Sequence, residues 1–303
     1  MRITRWVSLI LLIGALAPAA CGLTSVLAQG KPRVVATYSM VGELVRNVGG
    51  DRVDPLTLVG PDRDTERYEP TPRDVNVIAS ANLILEIGLG SEPWLDRLYT
   101  SANTAAPRVQ IWNGIDLIQG GEGGEEGVDP HIFHDVSNYI QMTYNVRDAL
   151  SSFDPANADF YAQNADTYAA QLRQLDDWVF AQVAPLAPER RKLVTSHDSF
   201  GYFARRYGFE IAGVGLDSFF TDAQPSANRI ARLVSAIRAE GVPAVFVENV
   251  TDPRLMQTIA KEAGVTVGPS LYTDALGGPG SPGDTYISMM TYNVTSIVSA
   301  LAG

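Results

Sequence analysis

Three histidines and a handful of neighbouring carboxylates are the residues with which this chain could do chemistry. His131 closes the run Asp129-Pro130-His131, and His197 stands in Thr195-Ser196-His197-Asp198. Tyr272-Thr273-Asp274-Ala275 adds a carboxylate. Each segment follows a predicted strand or lies in a loop, and ligands of open α/β sheets bind beyond the carboxyl ends of strands. Imidazole is a borderline donor and carboxylates neutralise a dication, so such a set suits zinc, manganese or iron. On spacing alone the signal is weak, because the residues lie far apart and a lone histidine more often serves packing.

The elements that must position them read as an alternation of strands and helices. Arg33–Thr37, Leu56–Val59, Asn82–Gly88 and Val109–Trp112 read as short strands, with helical spacing over Ser39–Val48 and from Trp94 to Tyr99. Gly120–Gly127 is a glycine- and glutamate-rich loop with nothing apolar to bury. From Asp154 onward, Tyr161, Ala165, Tyr168, Leu172, Leu175 and Val179 form one apolar seam, with Asp154 as cap and Pro155 at the first helical position. The second half repeats the rhythm. Strands are predicted at Lys192–Thr195, Ile211–Val214, Ala244–Glu248 and Val265–Val267, and helices at Phe200–Tyr207, Ala227–Glu240, Asp252–Ala263 and Tyr286–Leu301. Strands separated by helices predict parallel sheet, hence the α/β class.

Composition bounds the rest. The 303 residues are 46% hydrophobic and 19% charged, in the globular range, and the formal net charge is −11. That balance argues against nucleic acid, whose phosphates require a basic face. Cys21 is the only cysteine, so no intramolecular disulfide can form. Residues 1–28 read as an export signal: Arg2 and Arg5, then an apolar run from Trp6 to Ala17 too short to span a membrane comfortably, then small residues. Ala19-Ala20-Cys21 resembles a lipobox, with Pro18 as a departure, and points to a lipid anchor at Cys21. Cleavage after Ala28 is the alternative.

Several phrases, in order, resemble the metal-binding solute-binding proteins of bacterial ABC importers, the zinc- and manganese-receptor family (cluster A-I). They are Tyr68-Glu69-Pro70-Thr71-Pro72, Gly88 to Leu95, Asp129-Pro130-His131, Ser196 to Phe203, Pro225-Ser226, Phe246-Val247-Glu248, Ile259 to Gly264, and Tyr272 to Gly277. The resemblance covers residues 32–303. It implies two lobes, each a mainly parallel sheet flanked by helices, joined by one long backbone helix. The boundaries are 32–153, 154–186 and 187–303. It implies a receptor, not an enzyme, that holds one divalent ion between the lobes and delivers it to an ABC permease. Such a protein is exported, periplasmic or lipid-anchored on the outer face of the cytoplasmic membrane, and a monomer.

His131, His197 and Asp274 carry over directly as metal ligands. The family's histidine two residues before the Tyr-Glu-Pro-Thr-Pro phrase does not, because Glu66 stands there. Either Glu66 is the fourth ligand, or it points away and leaves a three-ligand site with an open position. Arg67 opposes a cation unless it turns to solvent or pairs with Glu69. His134 is expected to play an outer or surface role; Glu248 and Asp222 are candidates for orienting the imidazoles, and Asp198 is expected to point elsewhere. Glu69 and Asp74 are expected to hold their loop. Two histidines and two carboxylates leave zinc and manganese level, with iron third. The competing readings are a three-ligand zinc hydrolase with Glu66 as general base, though neither HExxH nor GxSxG is present, and a surface adhesin.

Overall fold

The computed structural model describes residues 30–120, 127–216, 218–221 and 226–303. The export segment with Cys21, the centre of the Gly120–Gly127 loop, and Asp222 therefore lie outside the described residues. The chain is α/β, with parallel sheets flanked by helices and one long helix.

In the first half, β1 (Arg33–Tyr38), β2 (Asp54–Val59), β3 (Leu83–Glu86) and β4 (Arg108–Gln110) form one parallel sheet in the order β2-β1-β3-β4. β1 is buried after its first residue, as befits a central strand covered on both faces. Helix α1 (Ser39–Gly49) returns across β2. A Cβ at its Gly42 would stand 2.4 Å from Thr57 Oγ1, so a larger residue there would have to displace that side chain. Helices α2 (Pro72–Ala79) and α3 (Leu95–Ala102) follow β2 and β3. Asp74 closes a capping box with Thr71 at the start of α2 and also accepts from the Tyr68 hydroxyl, so it does hold this loop.

Helix α4 (Val136–Phe153), capped by Asp135, has no counterpart among the elements expected from the sequence. Its buried stripe includes Asn138 and Thr143, which blur the apolar period. The long helix α5 (Ala158–Val183) buries the whole predicted seam, but Asp154 caps a short 3-10 turn, Pro155–Asn157, that precedes it. Proline therefore opens the turn and not the α-helix proper.

In the second half, β5 (Lys192–Thr195) pairs with β6 (Glu210–Val214), and β7 (Ala244–Val245) with β8 (Thr266–Val267), both parallel. The Phe246 amide donates to Val194 O at 2.8 Å, tying the two pairs together. The strand expected to run to Glu248 stops at Val245, and Glu248 makes only an isolated bridge with Leu271. Helices α6 (Gly201–Tyr207), α7 (Ala227–Glu240), α8 (Arg254–Ala263) and α9 (Tyr286–Ala302) complete the chain. α7 and α8 enclose a smaller apolar cluster with β5 and β7. α9 belongs to the larger core, where Tyr286 stacks on Tyr139 at 3.5 Å. Among the described residues no helix is long and apolar enough to cross a membrane.

Candidate metal centre

All four expected ligands leave the carboxyl side of the strands. Glu66 lies between β2 and α2, and His131 between β4 and α4. His197 stands two residues beyond β5, and Asp274 three beyond the Glu248–Leu271 bridge. They meet in a buried cluster. His131 Nε2 lies 3.3 Å from His197 Nε2, 3.1 Å from Asp274 Oδ1 and 3.8 Å from Glu66 Oε1, and His197 Nε2 lies 3.4 Å from Asp274 Oδ2. Ligand bonds of 2.0–2.1 Å in a tetrahedron place donors roughly 3.3 Å apart. The two imidazoles and Asp274 already stand at that separation, with Glu66 slightly wide.

Each imidazole is aimed by a carboxylate on its far nitrogen. Asp129 Oδ1 accepts from the His131 backbone amide at 2.9 Å and contacts Nδ1 at 2.8 Å. Glu248 Oε2 contacts His197 Nδ1 at 2.5 Å, and its Oε1 accepts from the amides of Ser196 and His197. A proton on Nδ1 leaves Nε2 for a metal, so the carboxylates set both the tautomer and the ring plane. Glu248 was one of the two residues expected to orient an imidazole. Asp129 belongs to the phrase that ends in His131 but is given no orienting role from the sequence, although its place two residues before His131 is the signal of a turn closed by an aspartate side chain.

Glu66 is held differently. Its backbone amide donates to Asp64 Oδ1 at 2.9 Å, and its Oε2 accepts from the Thr221 amide at 2.8 Å. Oε1 is buried and has no hydrogen-bond partner among the described residues. Arg67 is exposed, so its charge turns to solvent. The Trp94 indole donates to Thr65 O at 2.7 Å, fixing the residue before Glu66. Trp94 is placed by a loop in which Gly88, Leu89 and Gly90 all have positive φ. There Glu92 accepts from the amides of Ile87 and Gly88 and from the Thr37 hydroxyl.

The charges are strongly coupled. Burial pushes the Glu66 carboxyl up to about 7, with the Asp274 charge adding to the effect and the two imidazoles opposing it. Burial works against a charged His131, yet the bonds to Asp129 and Asp274 outweigh it and raise the imidazole to about 10. His197 is raised well above its ordinary value, burial again being outweighed, here by Glu248 and Asp274. Asp274 is held well below the usual carboxylate range because the imidazoles overcome its burial. Two imidazoles raised in this way carry two protons, and a divalent ion bound to neutral imidazoles would supply the same charge as those protons.

His134 is not in the cluster. It is fully buried, stacked on Phe200 at 4.6 Å and packed against Phe133, and burial pushes it down to about 3. It therefore contributes a neutral flat ring behind the cluster. Asp198 is buried, and its amide donates to Ser218 O. Beside the cluster is a cavity of about 10 Å³, lined by Tyr38, Thr65, Glu66, Ser91, Pro130, His131, Phe133 and Asp274. That is room for about one small atom and far below the several hundred Å³ of an organic ligand site.

Comparison with known proteins identifies the family. Residues 34–300 match the family model described as zinc-uptake complex component A, periplasmic. The manganese-binding lipoprotein MntA of Halalkalibacterium halodurans is 32% identical over 97% of this chain and 98% of its own. The zinc-binding protein TroA of Treponema pallidum is 33% identical over 93% of each. Its solved structure superposes with a TM-score of 0.83 at 32% identity, covering 90% of this chain and 99% of that one. The manganese-bound periplasmic metal-binding protein of Candidatus Liberibacter asiaticus gives a TM-score of 0.82 at 27% identity, over 89% and 100%. The chain belongs to the periplasmic zinc-uptake component A family of metal-transporter substrate-binding proteins.

Proposed function

We propose that this protein captures a divalent transition-metal ion outside the cytoplasm and delivers it to the permease of an ABC importer. The observation that carries the reading is the convergence of donor atoms of His131, His197 and Asp274 within 4.8 Å of one another, with Glu66 beside them and a space of only about 10 Å³ next to Glu66, His131 and Asp274. An organic solute does not fit there, and a hydrolase would need room for its substrate beside the metal, so capture is favoured over catalysis.

In this reading His131 Nε2, His197 Nε2, Asp274 and Glu66 Oε1 are the ligands. The unpartnered, buried Oε1 supports Glu66 as the fourth, because a bare buried carboxylate oxygen is costly unless something binds it. The ion is zinc or manganese, with iron third. The two-nitrogen, two-carboxylate set is compatible with both, and the Irving–Williams order favours zinc where supply is equal. The protein works as two lobes, 32–153 and 187–303, linked by 154–186. It is held at the membrane by a lipid on Cys21, or released by cleavage after Ala28.

The test is metal analysis of the purified protein with competition between zinc and manganese, repeated on Glu66→Ala. One ion per chain, with affinity or selectivity altered by Glu66→Ala, is expected. A wild type that retains neither ion would sink the reading, and unchanged binding by Glu66→Ala would remove Glu66 from the ligand set.

A further inference from the structure

His131 is aimed from two residues away and His197 by Glu248 within its own half of the chain, but Glu66 is held from the other half. Its carboxylate would turn freely about its terminal bond unless one oxygen were occupied, and the donor that occupies Oε2 is the amide of Thr221, 155 residues away in sequence. The same residue makes a second bond: Thr221 Oγ1 donates to Asp64 Oδ2 at 2.6 Å. Asp64 in turn accepts the amides of Glu66 and Arg67 on its other oxygen, at 2.9 and 3.1 Å. Thr221 thus grips both the backbone turn that carries Glu66 and the Glu66 side chain itself.

The segment that bears Thr221 is seated on both sides of the site. Ser218 O accepts from the amide of Asp198, the neighbour of His197, at 3.0 Å. The Phe220 ring lies over Gly90, 3.4 Å from where a Cβ would stand, against the loop that carries Trp94. Phe220 N–H donates to Ser218 Oγ at 2.8 Å, which keeps the segment folded on itself.

We propose that Thr221 is a positioning residue for metal retention: its amide and hydroxyl, reaching from the second half of the chain, aim Glu66 Oε1 at the ion. This rests on the metal-capture reading above. A carboxylate suits the arrangement because its second oxygen accepts the amide, so the presence of glutamate at 66 and a free N–H at 221 belong together. Seating of residues 218–221 and full coordination of the ion then become one event.

The test is the rate at which zinc leaves the loaded full-length protein into excess chelator, for wild type, Thr221→Val, Thr221→Ser, Glu66→Ala and the Glu66→Ala/Thr221→Val double variant. The hydroxyl bonds an ionised carboxylate, so its loss in Thr221→Val is expected to speed release about tenfold to a hundredfold. Thr221→Ser, which keeps the hydroxyl, is expected to stay within about twofold of wild type. In the Glu66→Ala background Thr221→Val is expected to add nothing. Thr221→Val releasing zinc at the wild-type rate overturns the proposal, and so does an equal acceleration with and without Glu66, which would mark Thr221 as merely structural. Thr221→Ala gives a second route should the valine variant fold poorly, judged by metal-free melting. A wild type that binds neither zinc nor manganese defeats the capture reading instead, and one that binds only manganese is tested by the same release rates with manganese, which separates the two failures.

Discussion

Two turns of the same design approach the site from the first half of the chain, Asp64-Thr65-Glu66 and Asp129-Pro130-His131. In both, an aspartate Oδ1 accepts the amide of the ligand two residues on, at 2.9 Å. They part at the side chain. Asp129 spends Oδ1 a second time on the ring of its own ligand, so His131 is aimed within three residues. Glu66 has no donor to offer Asp64, and Asp64 Oδ2 reaches instead to Thr221. The difference shows what a change of ligand type does to its support. His131 is fixed by a local acceptor, whereas a carboxylate needs a donor, and here that donor comes from 155 residues further along the chain.

The largest effect that could break this contrast lies at the shared centre. His197→Ala removes a donor that both turns converge on and leaves Glu248 without its imidazole. Zinc affinity measured by chelator competition is expected to fall by more than the roughly 100-fold that loss of an outer partner costs. Retention of affinity within about tenfold would mean the ion sits elsewhere.

Comparing Asp129→Ala with Asp64→Ala sharpens the contrast directly. Asp129→Ala frees the His131 ring and should lower zinc affinity about 10- to 100-fold. Asp64→Ala should cost about as much, because it removes the Thr221 hydroxyl bond together with the bonds to the Glu66 and Arg67 amides. Calorimetric titration of both variants checks this, and affinity kept within about twofold by Asp64→Ala would show that Glu66 needs no such support.

The smallest effect is on stability against pH, in the metal-free protein. His131 is raised from 6.5 to about 10 on folding, so its stabilisation is complete below about 6.5 and is lost as pH rises through about 10. Glu66 is raised from 4.5 to about 7, so keeping it folded as an anion becomes costlier over that interval. Asp274, held far below its usual range, is ionised throughout and adds no slope. The melting temperature of metal-free protein is therefore expected to fall between about pH 5 and pH 10. The zinc-loaded form should fall less, because the ion has replaced those protons. Thermal melts in matched buffers check this, and a gap that narrows with rising pH would contradict it.

Much of this architecture was legible in the sequence where local rules suffice. The seam from Tyr161 to Val179 announced α5 because a single apolar stripe at helical spacing must find a core. The α4 helix hid because its buried face carries Asn138 and Thr143, whose polarity breaks the pattern while their hydrogen bonds satisfy it in place. The same division runs through the site. Residues adjoining a recognisable phrase, His131, His197 and Asp274, could be named from sequence. Thr221 could not, since its partners Asp64 and Glu66 lie more than 150 positions away and no spacing encodes that meeting.

Trp94 gives the ligand loop an optical property of its own. Its indole N–H is bonded to the carbonyl of Thr65, one peptide unit from Glu66, and its ring is edged by Tyr68 at 5.2 Å. An ion that draws Glu66 inward pulls on the peptide to which this fluorophore is tethered. With Trp112 and Trp178 replaced by phenylalanine, the emission of Trp94 is therefore expected to change when an ion binds beside Glu66.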